Sequence, residues 1–385
     1  MTTYTDLNTS ERVLLGPGPS MAHPRVLSAM SHPLVGHMDP QFLQLMSEIQ
    51  ELLRYVFQTE NQLTIPVSGT GSAAMEAALC NFIEPGDEVV IGVNGYFGAR
   101  LCDMAGRYGA TVRPIEKPWG QVFSPEEIKA ELQKKPAKLV ALIHAETSTG
   151  AMQPMAGMAD VVHGHNALLL IDCVTSLGGV PVEIDAWGVD IAYSGTQKCL
   201  SCPPGLAPLT INERAREVMR NRKSKVANWY LDMTMVERYW GDTRTYHHTA
   251  PISMNYALRE ALRLVHEEGL EARFARHRRH AELLWAGLEK LGFTMHVDIE
   301  HRLPQLTTPR LPEGVDDAAI RKQLLNDYNL EIAGGLGALA GQVWRIGLMG
   351  YSSRRENVTL LLAALRNLMG DGSRHADGEI EEFYT

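Results

Sequence analysis

Apolar residues along this chain fall into short continuous runs. Between the runs they recur every three or four positions. LVALIH and LLLID are the clearest continuous runs. A run of that length without polar alternation fits a strand covered on both faces, as in parallel sheets. Such runs lie at 63–67, 88–93, 111–115, 139–144, 168–173, 189–194 and 206–211. Helical spacing occupies 72–83, 97–108, 125–134 and 155–165. Strands alternating with helices predict an α/β fold built on a mostly parallel seven-stranded sheet.

The pattern changes after about residue 255. ALREALRLVHEEG and LEARFARHRRHAELLWAGLEKLG read as two amphipathic helices, each ended by glycine. Strand-like pieces follow at 305–310 and 343–347, and a last helix at 355–369. The expected organisation is an N-terminal extension over 1–20, a large domain over 21–255 and a smaller α+β domain over 256–385. The extension carries LLGPGPS, a Gly/Pro loop that cannot be helical. The last dozen residues read as frayed.

Bulk numbers narrow the classes. A chain of 385 residues with 45% apolar content supports a large core and two domains. A net charge of -9, with the 36 Lys and Arg residues scattered, argues against nucleic-acid binding. The richest basic run, Arg273 to Arg279, sits in a helical pattern and reads as a solvated face rather than an anion site. No apolar run reaches about 18 residues, so no membrane-spanning helix is expected. The N-terminus lacks the apolar stretch of a signal peptide, and EIEEFYT is not a peroxisomal address. Five cysteines, an odd number, suit a reducing compartment. The expected location is the cytoplasm.

Three features carry candidate chemistry. VSGTGSAA joins a strand to a helix, so its small residues let backbone N–H groups approach an anion at the helix N-terminus. Read alone, it fits a capped turn equally well. Asp172 ends the run LLLID, where strand carboxyl ends face the ligand crevice of an open α/β sheet. It could also cap the next turn. Lys198, in SGTQKCLSCPPG, follows another strand and occupies the same edge. Desolvated there, it becomes a nucleophile able to form a Schiff base; otherwise it is a surface loop lysine. Anion loop, strand-end Asp and strand-end Lys together are the parts that pyridoxal phosphate needs.

The order of these parts and their surroundings resemble fold-type I pyridoxal-phosphate enzymes. More narrowly they resemble class V, the alanine–glyoxylate and serine–glyoxylate (serine–pyruvate) aminotransferases. LLGPGPS, VSGTGSAAMEAAL, HAETSTGAMQP, LLLIDCVTSLGG, DIAYSGTQKCLSCPPG, YHHTAPIS and GGLGALAGQVWRIGLMG carry the likeness over nearly the whole chain.

The resemblance implies roles for individual residues. Thr70, Gly71 and Ser72 form the phosphate loop. Phe97 stacks on the cofactor ring, where relatives often have tryptophan. Ser148 lies near the cofactor's O3′. Asp172 pairs with the pyridinium, Val174 packs beside the ring, and Gln197 precedes the Schiff-base Lys198. Tyr246 and Thr249 reach the phosphate of a neighbouring subunit, which implies a homodimer with shared active sites. Arg345 grips the substrate carboxylate. The residues themselves leave Arg345 open between such a clamp and a structural salt bridge.

The implied activity is a transaminase moving an amino group from alanine or serine to glyoxylate. The partners are then small amino acids and 2-oxo acids. The stretches PWGQVFSPE and VWRIGLMGY look similar to the ureidoglycine–glyoxylate branch, which is the alternative. A lyase or cysteine desulfurase is further off. Desulfurases carry a histidine where Gln197 stands, and no cysteine follows Cys202. Cys199 and Cys202 read as incidental, because Pro203-Pro204 follows and no second pair completes a zinc site. His247 and His248, on an extended segment, are expected to point to opposite sides, and no metal is expected.

Overall fold

The computed structural model describes residues 4–369. The continuous apolar runs form the strands of one sheet, β1 (Leu63–Ser68), β2 (Glu88–Val93), β3 (Thr111–Glu116), β4 (Leu139–Ile143), β5 (Leu168–Asp172), β6 (Ile191–Tyr193) and β7 (Leu206–Ile211). Their spatial order is β1-β7-β6-β5-β4-β2-β3. Only β7 runs antiparallel to its neighbours. The central strands β4 and β5 are buried at every position, which explains their unbroken apolar runs. At the sheet edge β3 is partly exposed and carries Pro114.

Helices cover both faces. Among them, after a short helix at Pro24–Ala29, are α1 (Pro40–Phe57), α2 (Gly71–Cys80), α3 (Tyr96–Arg107), α4 (Pro125–Lys134) and α5 (Met158–Gly164). Ser124 and Glu127 close a reciprocal capping box at the start of α4. A long α1, which the sequence reading does not single out, buries Phe42, Met46, Ile49 and Leu53. Further on come α6 (Ile252–Glu268), α7 (Leu270–Lys290), α8 (Asp317–Asp327) and α9 (Arg355–Met369). No described helix is long and apolar enough to cross a membrane.

Two main apolar cores divide the chain. The first runs from Val26 to Val265 and includes Ala257, Leu258, Ala261 and Leu262 of α6. The expected boundary at 255/256 therefore falls inside a helix that packs on the large sheet. The second core gathers Leu284, Leu288, Leu324, Trp344, Ile346, Leu361 and Leu365, and it takes in Leu15. The expected N-terminal extension thus enters the second core, and Val13–Leu14 pairs in parallel with Leu330–Glu331. Residues beyond 369 of the expected small domain, with the expected fraying and the C-terminal EIEEFYT, lie outside the described residues.

One expectation holds only in part. The basic run on α7 is a solvated face at Arg278 and Arg279, which are exposed, but Arg273, His277 and the following His280 are buried. Arg273 donates to the carbonyls of Gly178 and Cys199 and pairs with Glu268 at 2.7 Å. The His277 ring nitrogen Nε2 accepts from Gly350 N–H at 2.9 Å. Sequence spacing shows which helix face is basic but not that two loops close over it. Here those loops carry carbonyls that need donors.

Candidate active site

The carboxyl ends of β1, β5 and β6 meet on one edge of the sheet. From β1 the chain passes through Gly69 into α2, whose N-cap is Thr70 in extended conformation. The Thr70 side chain makes no capping hydrogen bond. Its hydroxyl and the helix N-terminus are available to an anion. Gly71 faces the other loops: a Cβ there would lie 3.7 Å from Gly195 Cα and 3.7 Å from Val174 Cγ2. Ser72 is exposed, 3.5 Å from Arg100 Nη1.

Asp172, last residue of β5, is buried. Its Oδ1 accepts from Val174 N–H at 2.8 Å and its Oδ2 from the Tyr193 hydroxyl at 2.7 Å. Burial pushes its acid up to about 6, against the pull of these two donors. It remains mostly ionised at neutral pH and above.

Lys198 follows β6 and is also buried. Its Nζ donates to the carbonyl of Pro17, in the N-terminal Gly/Pro loop. Burial, then the neighbouring positive charge of Arg345, pull the amine down to about 8; Cys199 and Asp172 oppose them. The loop holding it is pinned from several sides. Ser20 donates from its hydroxyl to Lys198 O at 2.7 Å and from its N–H to Gln197 O at 2.8 Å. Arg273 grips the next carbonyl, Cys199 O. Gly18, at φ +106°, lets the chain pass the lysine: a Cβ there would lie 2.7 Å from Lys198 Cδ.

Arg345 lies in the strand Trp344–Gly347 and is buried. Its Nε donates to Gly334 O at 2.8 Å. Among the described residues no carboxylate lies within ion-pair distance of it. This favours the clamp over the structural salt bridge that the sequence left open. Burial pulls its guanidinium down to about 10, and the Glu146 carboxylate opposes that. It stays charged at neutral pH.

Ser148 is fully buried beside the N-terminus of α3. Its hydroxyl donates to Glu146 Oε1 at 2.6 Å and accepts from Tyr96 N–H at 2.9 Å. The adjacent Phe97 ring is half-buried, with the Arg100 guanidinium 4.8 Å from its centroid. Gln197 stands next to Gly195, and its buried Oε1 has no hydrogen-bond partner.

Tyr246 and Thr249 are not brought to Lys198 within this chain. Both are exposed, and Tyr246 packs against the His37 ring. The expected divergence of His247 and His248 is overturned: their Nδ1 atoms lie 2.8 Å apart. The segment belongs to no strand, so the alternation of side chains does not apply. His248 Nε2 also meets the Ser68 hydroxyl at 2.7 Å, just ahead of the α2 loop. Cys199 and Cys202 are buried thiols. Burial pushes Cys199 up to about 12 and Cys202 further still, which disfavours thiolate chemistry at either.

Sequence reasoning missed three residues. Glu146 is a buried acid ending a second apolar run, the same signal that marks Asp172. Tyr193 precedes the Lys198 loop but is indistinguishable from other strand aromatics. Pro17 acts through its carbonyl, which no side-chain pattern reveals.

Known proteins resemble this chain over almost its full length. Residues 12–361 match the family Aminotransferase class-V. The (S)-ureidoglycine–glyoxylate transaminase of Bacillus subtilis is 43% identical over 382 residues, covering 94% of this chain and 92% of that protein. The alanine–glyoxylate aminotransferase of Rattus norvegicus is 43% identical over 367 residues, covering 94% and 89%. The solved alanine–glyoxylate aminotransferase from Nostoc sp. is 57% identical, with a TM-score of 0.95 over 96% of this chain and 98% of that one.

Proposed function

The chain belongs to the class-V aminotransferases, and from that premise we propose that it moves the amino group of alanine or serine to glyoxylate. Pyridoxal 5′-phosphate is the family's cofactor, and the residues present fit it. The free Thr70 hydroxyl and the start of α2 suit a phosphate. The unpartnered Gln197 carboxamide atom is a group that a ligand would satisfy, and with the amide turned it is an N–H donor. The observation that carries the reading is the juxtaposition of a buried, weakly basic Lys198 with Asp172 and the unpaired Arg345.

Each residue then has a task. Arg345 receives the α-carboxylate of the amino acid through its bidentate fork. That places the α-carbon near Lys198. The Lys198 amine, held at about 8, is partly neutral near physiological pH and can take the α-proton. When bound, the cofactor supplies an electron sink for that carbon. Asp172, kept ionised by Tyr193 and Val174, presents an anion to the ring nitrogen. A 2-oxo acid leaves, and glyoxylate binds at the same fork for the return half of a ping-pong cycle.

Two relatives of equal identity make the donor the open choice between alanine or serine and ureidoglycine. The 57% identity to the Nostoc structure supports the first pair. A steady-state matrix of alanine, serine and ureidoglycine against glyoxylate and pyruvate separates them. Ureidoglycine outpacing both other donors would overturn the leading reading.

A homodimer belongs to the same proposal. Tyr246 and Thr249 are exposed, and so are the neighbouring Trp229 and Tyr230. This aromatic surface suits a second copy. Light scattering reads the mass, and Thr249→Ala should weaken cofactor binding without altering the fold of one chain.

A further inference from the structure

Glu146 is a fully buried acid with no role in the reading above. It ends the two-residue strand Ala145–Glu146, which pairs with Ala151–Met152 in a tight hairpin beyond β4. Among the described residues no arginine, lysine or histidine lies within ion-pair distance of it. Three hydrogen bonds hold it instead. Oε1 accepts from Ser148 N–H at 2.9 Å and from the Ser148 hydroxyl at 2.6 Å, and Oε2 accepts from Phe97 N–H at 3.1 Å.

All three partners are donors on two oxygens. An ionised carboxylate accepts at every one of these positions with its strongest hydrogen bonds. A carboxamide cannot: its NH2 group would face one of these donors with no lone pair to offer. Burial raises the acid above its ordinary value and the nearby Asp172 charge adds to that; the Ser148 and Phe97 donors oppose both, so the hydrogen-bond pattern is what favours the charged form there. The neighbouring backbone makes way for it: a Cβ on Gly95 would collide with Glu146 Cγ and Cδ and lie 2.6 Å from Ser148 Oγ.

Two consequences reach the site. The single proton of the Ser148 hydroxyl is committed to Glu146, and one lone pair takes Tyr96 N–H. Ser148 can therefore offer a ligand only its remaining lone pair. Among the described residues Glu146 is also the sole anion acting on Arg345, although beyond ion-pair distance. It stands as the resident negative charge that a substrate carboxylate joins.

We propose that Glu146 is a positioning residue of this active site. Its ionised carboxylate locks the loop at Ser148 to the start of α3 at Phe97, sets the direction of the Ser148 hydroxyl, and supplies the standing anion near Arg345. This rests on the cofactor and transamination reading given above.

The test compares Glu146→Gln and Glu146→Asp as holoproteins. In Glu146→Gln, kcat should fall at least about tenfold. The KM for the amino acid should hold or fall, because the Arg345 fork loses a competing anion. Removing a buried negative charge also disfavours protonated cofactor nitrogen. The pH midpoint of the bound cofactor's visible absorption should then drop by about half a unit or more. Glu146→Asp keeps the charge but not the reach to Phe97, so kcat falls while the midpoint stays near wild type. A role in packing alone predicts a lower melting temperature, a raised KM and an unmoved midpoint in Glu146→Gln; that result overturns the proposal. If Glu146→Gln does not fold, Glu146→Asp decides: wild-type kcat in that variant overturns it. A wild-type protein with no visible cofactor band would instead sink the cofactor reading itself.

Discussion

Tyr193 and Asp172 sit opposite one another on adjacent parallel strands, and the tyrosine hydroxyl donates to the carboxylate at 2.7 Å. A buried carboxylate at the heart of the site thus depends on a register set by the sheet. The hydrogen bond favours the ionised form, so removing it raises the pKa of Asp172. In Tyr193→Phe the acid limb of cofactor affinity, near 6 in the wild type, should move up by about one unit. Cofactor titrations between pH 5 and 8 read it. An unmoved limb would mean that Tyr193 does not hold the charge of Asp172.

Lys198 makes the cofactor-free protein less stable than its core allows. Its folded pKa, about 8, lies below the ordinary 10.5, so folding favours the neutral amine. The destabilisation is present in full below pH 8 and disappears as pH rises from 8 to 10.5. Lys198→Met should therefore raise the melting temperature of the cofactor-free protein at pH 7, by a gain on the order of 2 kcal/mol. The gap to wild type should close above pH 10. Turnover should be lost by a factor of about a thousand or more. A variant less stable than wild type at pH 7 would contradict this account of the lysine.

Arg345 lacks an ion-pair partner among the described residues, so its loss leaves no carboxylate stranded. Arg345→Gln should fold normally and bind cofactor normally. Its kcat/KM should drop by roughly 30- to 150-fold, the loss of 2–3 kcal/mol of charge-assisted hydrogen bonding. The effect should appear chiefly in KM for both the amino acid and glyoxylate. An equal loss for an amine substrate without a carboxylate would contradict the clamp.

Gly71 opens α2 with ordinary van der Waals room for a methyl group. Gly71→Ala should leave the melting temperature of the cofactor-free protein unchanged or slightly raised, since alanine is the better helix former. Cofactor affinity should nonetheless fall, by about tenfold or more, because the methyl group occupies the space offered to the phosphate. Calorimetry and a binding titration separate the two effects. Wild-type affinity would argue that the anion sits elsewhere.

Much of the fold and part of the site were legible along the chain. Where the strands lie, and that most run parallel, followed from runs such as LVALIH, because burial on both faces erases polar alternation; their spatial order in the sheet did not. Thr70–Ser72, Asp172 and Lys198 were visible because each ends or follows such a run, and strand ends in this architecture converge on one edge. The basic run on α7 was misread at its buried half, Arg273 and His277. Whether Arg273 meets water or the carbonyls of Gly178 and Cys199 depends on loops far away in sequence. The two histidines were misread because alternation was applied to a segment that forms no strand.

What the sequence determined by itself is local: which segments extend or coil, where turns must fall, and which side chains carry usable chemistry. Backbone sterics and apolar periodicity act over a few residues, and those are written in order. The tertiary structure alone decided the charge state and aim of those side chains. It set Lys198 against Pro17, Asp172 against Tyr193 and Ser148 against Tyr96, and among the described residues it left Arg345 without an ion pair. Desolvation and hydrogen bonding are properties of what surrounds a group, and here most of the surroundings come from residues tens to hundreds of positions away.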